Sequence, residues 1–558
     1  MADRVLVCVA WPYANGPLHL GHIAGAYLPA DIFVRYQRAK GVETIMVSGS
    51  DQHGTPITVR AEQESVSPAD VAARYHAEFV RSWEQLGISF DIFTRTGTSN
   101  HATVVQDIFL TLLERGHIYK GSMDSTYCPS CVRFLPDRYV EGRCPFCGYD
   151  NARGDQCDNC GRPLNSTELL DARCKFCGGP PEIRATEHFF LRLSAFTDEL
   201  TAWIKDHPYW KPNVRNFTNQ WLSEGLRDRA ITRDIEWGIP VPVPGFDGKR
   251  IYVWFEAVIG YLSATKEWAQ LQGQPEKWEE FWKQPCRSYY FIGKDNIPFH
   301  TIIWPAILMG YGGLNLPYDV PANEHLTLEG RPFSTSRNWA VWVPDYLSRY
   351  DPDALRYVMS INMPELGDAD FSWREFVRRN NDELVATYGN LVHRVLTFTY
   401  RNFEQAVPTP GLHDSLDQAL LEQAERSLAR VGDLIEVCHF REATREALAL
   451  AQEANRYLDR KAPWETIKTD RQACATALYV AIQVINTLKV AFGPFLPFSS
   501  SKLHSLLGFS GNLQDVGWRA VAAPAGQALQ KPAPLFVKLD EEQVIEEETR
   551  RLSAMKPK

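Results

Sequence analysis

Apolar and polar positions follow two different rhythms along this chain, and the change from one to the other divides it. Residues 5–10 form a short apolar run of the kind that builds a strand buried on both faces. Residues 20–40 carry apolar positions at helical spacing, and residues 43–48 form a second strand-like run. Strand, helix and strand in that order predict a βαβ unit in a parallel sheet. The pattern lapses between about 119 and 182, where Cys, Gly and Pro dominate and large apolar residues are scarce. It resumes with Ile251-Tyr252-Val253-Trp254 and with Ser288-Tyr289-Tyr290-Phe291-Ile292, so the lapse reads as an insertion that splits one sheet.

After about residue 370 strand patterns disappear. Apolar residues then recur at steps of three and four: Leu384, Tyr388, Leu391, Val395; Leu421, Ala424, Leu428, Val431, Ile435; Leu478, Ile482, Ile485. That spacing predicts an all-α domain. Residues 532–536 read as a short packing segment before a charged tail helix. No internal repeat is visible.

A chain of 558 residues is too long for a single core and implies three or four domains. With 44% hydrophobic and 23% charged residues its composition is that of a globular protein. The sequence shows no apolar run read as membrane-spanning and no cleavable leader, which predicts a cytosolic location with no membrane partner. A net charge of −9 argues weakly against nucleic-acid binding without excluding a local cationic face.

The cysteines change the picture more. Twelve cysteines placed at random would give roughly 0.26 pairs at i,i+3 spacing, yet four occur, all between Cys128 and Cys177. In a cytosolic chain such pairs favour metal over disulfides. Cys144/Cys147 and Cys157/Cys160 are nine residues apart and close readily into one tetrahedral thiolate site. Cys128/Cys131 and Cys174/Cys177 flank that unit. Nesting would give a second site, pairing in sequence order remains the alternative, and iron–sulfur is the main rival to zinc. Cys8, Cys286, Cys438 and Cys474 are isolated and read as core residues.

Between the first strand and helix stands Pro12-Tyr13-Ala14-Asn15-Gly16-Pro17-Leu18-His19-Leu20-Gly21-His22. Two His at a helix start sit where free N–H groups and the helix dipole favour phosphate, and Gly21 leaves room for a flat group. The competing reading is one capping His and one core His.

Trp11-Pro12-Tyr13, His19-Leu20-Gly21-His22 and Gly49-Ser50-Asp51-Gln52-His53-Gly54 resemble the class I aminoacyl-tRNA synthetases, where the paired His form one of two signatures. The resemblance to the methionine-specific members continues through Tyr252-Val253-Trp254-Phe255-Glu256-Ala257, Phe291-Ile292-Gly293-Lys294-Asp295 and Phe299-His300, and covers nearly the whole chain. It implies an α/β fold: a Rossmann-like catalytic domain split by a zinc-knuckle connective insertion, followed by an all-α anticodon-binding bundle. The expected divisions are 1–117 and 233–325 for the two catalytic halves and 118–232 for the insertion. The second-signature loop and stem-contact region takes 326–370, and the helical domain and tail 371–558.

The implied activity is ATP-dependent activation of L-methionine and its transfer to the 3′ end of tRNA(Met), with Mg²⁺ accompanying ATP. His19, His22, Lys294, Arg331, Ser334 and Thr335 are then the catalytic candidates. Gly21, Gly293, Asp295 and Arg337 join His19, His22 and Thr335 around ATP. The second signature, KMSKS in its usual form, stands here as Gly330-Arg331-Pro332-Phe333-Ser334-Thr335-Ser336-Arg337, with both lysines replaced. Charge stabilisation therefore falls to Arg331, Arg337 and Lys294, and Arg is not a simple substitute for Lys.

The resemblance maps the methionine pocket onto Ala10, Trp11, Tyr13, Asp51, Trp254, Ala257, Tyr261 and His300. Asp51 is the partner for the ammonium group, and the aromatic residues suit a polarisable thioether. Without the resemblance, Trp254 and Tyr261 read as core aromatics. No large editing insertion is visible, which sets the chain apart from the leucine, isoleucine and valine enzymes. The resemblance also favours nested knuckles, giving one or two structural Zn²⁺, and assigns anticodon contacts to Asn390, Arg394 and Trp464. By residue type alone, Pro463-Trp464 is a helix start with a half-buried Trp. The tail is short, and a monomer is expected.

Overall fold

The computed structural model describes residues 4–136, 139–154, 157, 159–160, 164, 166–334 and 338–554. Strands β1 (Arg4–Val9), β2 (Glu43–Ser50) and β3 (Ile92–Arg95) come before the insertion. The arms β4 (Ile118–Cys128) and β5 (Glu182–Leu191) carry it, and β6 (Arg287–Gly293) and β7 (Ala322–Asn323) follow it. The central sheet has the order β7-β6-β1-β2-β3, and every neighbouring pair is parallel. The chain winds outward from β1 to β3, leaves through the insertion, and returns on the other side of β1. The carboxyl ends of β1 and β6 thus flank the switch point, where open α/β sheets bind ligands.

Both faces of this sheet are covered, which is why its central strand β1 is almost continuously apolar. Val5, Val7 and Val9 face one core and Leu6 and Cys8 the other. The first core does not stop at the sheet. It runs unbroken through Leu355 and Val358 into Leu391, Leu448, Ile482 and Leu488 of the helical bundle. Arg356, fully buried at this junction, donates to the carbonyls of Leu86, Pro494 and Phe495 and to the Asp31 carboxylate at 2.7 Å.

The segment 251–254 departs from the sequence expectation. Arg250–Ile251 is only a two-residue strand paired antiparallel with Thr232–Arg233, and Val253–Leu271 is a buried helix. A short apolar run has no periodicity to separate a strand from the start of a buried helix. The first helix also differs in detail: Leu20–His22 passes into a π-helical turn at Ile23–Tyr27 before Leu28–Ala39.

Arms β4 and β5 pair antiparallel from Ile118↔Leu191 to Tyr127↔Glu182 and carry the Cys-rich module at their far end. The module leans on helix Thr55–Glu64: the Tyr139 and Thr58 hydroxyls lie 2.6 Å apart, and Arg133 reaches Glu62 at 3.6 Å.

Among the described residues the last strand is Ala369–Phe371, as the change of rhythm near 370 predicts. The long helices of the bundle are Ser415–Glu436, Phe440–Lys461 and Arg471–Ala491. Arg471–Ala491 is long and apolar enough to cross a membrane, which the sequence reading did not single out. Some 89% of its most apolar window is buried among the other helices, and that surround explains its composition. Leu535 and Phe536 pack against the bundle ahead of the tail helix Glu541–Ala554.

Candidate active site and thiolate clusters

His19 and His22 stand at the carboxyl end of β1, their rings stacked with centroids 3.8 Å apart. The His19 backbone N–H donates to His22 Nδ1 at 3.1 Å. That bond fixes the His22 tautomer, leaving Nε2 as the protonated nitrogen. Burial holds both rings neutral, with His22 brought down to about 4 and His19 well below its usual range. His19 Nδ1 is buried and has no hydrogen-bond partner among the described residues.

The helix end offers fewer amides than the sequence suggests. The Leu20 N–H donates to the Val341 carbonyl and the His19 N–H to His22, so imidazoles rather than a row of backbone donors face this end.

The described start of the second-signature segment reaches the pair. Phe333 lies parallel to His19 at 4.9 Å, and Ser334 and Trp339 exchange backbone hydrogen bonds. The guanidinium of Arg331 stacks on Trp339 at 5.2 Å. Thr335, Ser336 and Arg337 lie outside the described residues. Lys294 does not stand free: its ammonium binds Glu324 at 2.8 Å and Asp368 at 3.0 Å. Burial opposes its charge, but these two carboxylates outweigh burial and raise its pKa. Neighbouring Asp295 takes a hydrogen bond from His325 at 3.1 Å, and Gly293 closes β6.

The amino-acid candidates converge between the ends of β1, β2 and the helix Val253–Leu271. The Trp11 indole slides between two glycines. A Cβ on Gly49 would come within 2.3 Å of the ring, and one on Gly260 within 2.7 Å, so nothing larger fits at either position. Trp11 meets Tyr261 edge-on at 6.4 Å, and Ala10 is tied to Phe291 and Tyr27 through its own backbone. Trp254 and Ala257 share a helix face with Tyr261, at i, i+3 and i+7.

Several polar groups along this wall are satisfied within it, while the buried Trp11 Nε1 has no hydrogen-bond partner among the described residues. His300 Nδ1 donates to the Asn296 carbonyl at 2.8 Å, so its Nε2 accepts from the Tyr261 hydroxyl at 2.7 Å. Burial lowers His300 to about 4. Trp254 Nε1 donates to the Tyr13 hydroxyl at 2.9 Å, while its ring, 47% exposed, forms the rim.

Asp51 is buried just beyond β2 and tied by backbone bonds to Pro12 and Ala14. Burial and nearby Glu256 push its carboxyl well above the usual range. Glu256 sits 2.9 Å from His53 and was not picked out as a site residue from sequence. A carboxylate inside a buried apolar helix was the signal that could have found it.

The eight clustered cysteines fall into two groups: Cys128, Cys131, Cys174 and Cys177, and Cys144, Cys147, Cys157 and Cys160. This is the nested arrangement. Sulfur pairs lie 3.4 and 3.9 Å apart in the first group and 3.9 and 3.6 Å in the second. A tetrahedral ion with Zn–S bonds of about 2.3 Å needs edges of about 3.8 Å, and both groups fit it. The Asn159 amide helps bring the Cys147 thiol down to about 6, toward the thiolate a metal requires. Of the isolated cysteines, Cys8, Cys438 and Cys474 are buried as expected and Cys286 is half-buried.

In the bundle, the Arg394 guanidinium stacks on the half-buried Trp464 ring at 4.3 Å. Asn390 is exposed one turn before Arg394, and Pro463–Thr466 is indeed a short helix opened by Pro463. Arg374, Arg378 and Arg379 are engaged with carboxylates.

The family model for class I tRNA synthetases of the M type matches residues 5–396, and that for the anticodon binding domain of methionyl tRNA ligase matches residues 407–556. The chain belongs to the class I tRNA synthetases, in their methionyl branch. A methionine–tRNA ligase of Dehalococcoides mccartyi is 61% identical over 552 residues, spanning 99% of this chain and 100% of that relative. One from Thermomicrobium roseum is 54% identical, with 99% and 100% covered. The solved Mycobacterium tuberculosis methionyl-tRNA synthetase in complex with methionyl-adenylate superposes with a TM-score of 0.80 at 27% identity, covering 96% of this chain and 100% of that one.

Proposed function

We propose that this crevice joins L-methionine to ATP as an enzyme-held adenylate and then passes the methionyl group to the 3′ end of tRNA(Met). The observation that carries this reading is the placement of the stacked His pair and the Trp11–Tyr261–His300 slot at one switch point. The methionine carboxylate attacks the α-phosphate and expels pyrophosphate, a reaction that asks for positioning and charge stabilisation more than for covalent chemistry. His22, with its tautomer fixed, donates from Nε2 to phosphate oxygens, and His19 assists; Gly21 and Gly293 give the nucleotide room. Mg²⁺ enters with ATP as part of the substrate.

Arg331 is the strap cation on the loop, aided by Ser334, Thr335 and Arg337. Lys294 serves ATP by exchanging Asp368 or Glu324 for phosphate, and Asp295 approaches the adenosine. Asp51 receives the ammonium group. Because Tyr261 pairs with His300 and Trp254 with Tyr13, that part of the wall presents ring edges to the thioether, which suits sulfur. Ala10 and Ala257 complete the slot.

Zinc in the two thiolate groups is structural and keeps the module over the crevice. Asn390, Arg394 and Trp464 read unpaired anticodon bases, Trp464 by stacking. The protein works as a cytoplasmic monomer in this reading. ATP–pyrophosphate exchange, run with each of the twenty amino acids, is the direct test. Exchange with methionine alone is expected, and exchange with another amino acid in its place would overturn the reading.

A further inference from the structure

We propose that Glu256, acting through His53, is a positioning residue that holds Asp51 ready for the α-ammonium of the amino-acid substrate. The inference rests on the reading that Asp51 meets that ammonium.

Three groups from two elements meet here. Asp51 and His53 belong to the turn after β2, and Glu256 to the first turn of helix Val253–Leu271. The His53 backbone N–H donates to Asp51 Oδ1 at 3.2 Å, and His53 Nδ1 lies 2.9 Å from Glu256 Oε1. Trp237 fixes the imidazole from the side, edge-on at 5.7 Å, while its own Nε1 donates to the Gln52 carbonyl at 2.7 Å. The turn is pressed against the helix start. Gly54 has φ of 95°, and a Cβ there would come within 3.3 Å of Val253. Motion of Glu256 or His53 is therefore transmitted to Asp51 through a short, tightly packed turn.

A stability role alone does not explain Glu256. Its side chain is fully buried, and its Oε2 has no hydrogen-bond partner among the described residues. A buried carboxylate is costly, and an apolar residue would fill such a site with no loss of stability, as Phe255 and Val258 do beside it. What Glu256 adds is an anchor for the His53 ring, and with Asp51 it favours the imidazolium form of His53 despite burial. Burial and Glu256 oppose ionisation of Asp51 in the empty site, and an incoming ammonium favours its carboxylate form. A substrate without that ammonium offers no such help.

The full-length protein is compared with Glu256→Gln and His53→Asn, reading the KM for methionine and the inhibition constant for 4-(methylthio)butanoate in pyrophosphate exchange. The inhibitor keeps the thioether and carboxylate but lacks the ammonium. Each variant removes the imidazole–carboxylate hydrogen bond and should raise the methionine KM by about tenfold or more. The inhibitor should bind each variant within about twofold of the unaltered protein, and the double variant should be no worse than either single one, because linked groups are not additive. Equal weakening of both ligands would mean a loosened pocket and would overturn the proposal, as would an unchanged methionine KM. Absence of methionine-dependent exchange in the unaltered protein would instead remove the parent reading, so the two failures are told apart.

Discussion

The parallel sheet and the Cys-rich module sit a few residues apart across the Thr55–Glu64 helix, yet they are held together by different physics. Each sheet strand is sealed on both faces by aliphatic and aromatic side chains. The module has a cluster of ten buried residues among those described, four of them cysteines, while Val132, Phe146 and Phe176 remain exposed. Burial of apolar surface, at roughly 25 cal/mol per Å², suffices for the sheet. So small a cluster leaves the module short of apolar support, and the two thiolate groups are where a metal ion would supply the rest. The module is thus expected to depend on a bound ion for its fold, and the sheet that builds the crevice is not.

The largest effect expected follows from that contrast. Metal analysis should find about two zinc per chain. Their removal by chelation, or Cys144→Ser, should leave residues 129–181 open to proteolysis while the sheet resists. Aminoacylation of tRNA should fall well below pyrophosphate exchange. Equal loss of both activities would break the comparison, because it would make the sheet as metal-dependent as the module.

Next in size is Asp51→Asn, which acts on the sheet side alone. Loss of a charged hydrogen bond of about 2–3 kcal/mol should lower kcat/KM for methionine by on the order of 30- to 200-fold, with zinc content unchanged. Trp464→Ala lies remote from both regions. It should cost about 1–3 kcal/mol in kcat/KM for tRNA and leave pyrophosphate exchange alone.

A last effect is one of pH, and it is read on stability rather than on activity. Burial lowers His22 and His300 to about 4 and His101 to about 3. Between those values and the unfolded value of about 6.5 the unfolded chain binds more protons than the folded one. Stability therefore falls as pH drops from about 6.5 toward 4, and these groups contribute nothing to its pH dependence above neutrality. Thermal melts should show Tm declining over that window, with the sheet core as the source.

How much was legible in the sequence differed by the kind of signal. The βαβ start, the insertion, the change to helices near residue 370 and the four Cys pairs all rest on spacing, which one chain carries by itself. Nested pairing of the cysteines needed distance, because spacing also permits pairing in sequence order. Lys294 was legible as a cation near the nucleotide end but not as a residue clasped by Glu324 and Asp368, which are 30 and 74 positions away. Glu256 was hidden for a related reason. Its partner His53 is 203 residues distant, and only the folded helix brings the two together. The segment 251–254 misled because four apolar residues have no period.

The oily interior that starts under β1 continues around the buried Arg356–Asp31 pair into the long helices as one connected cluster. Melting of nucleotide fold and bundle should then register as one calorimetric event, and a bundle grafted from a distant relative would have to bring half of a common interior with it.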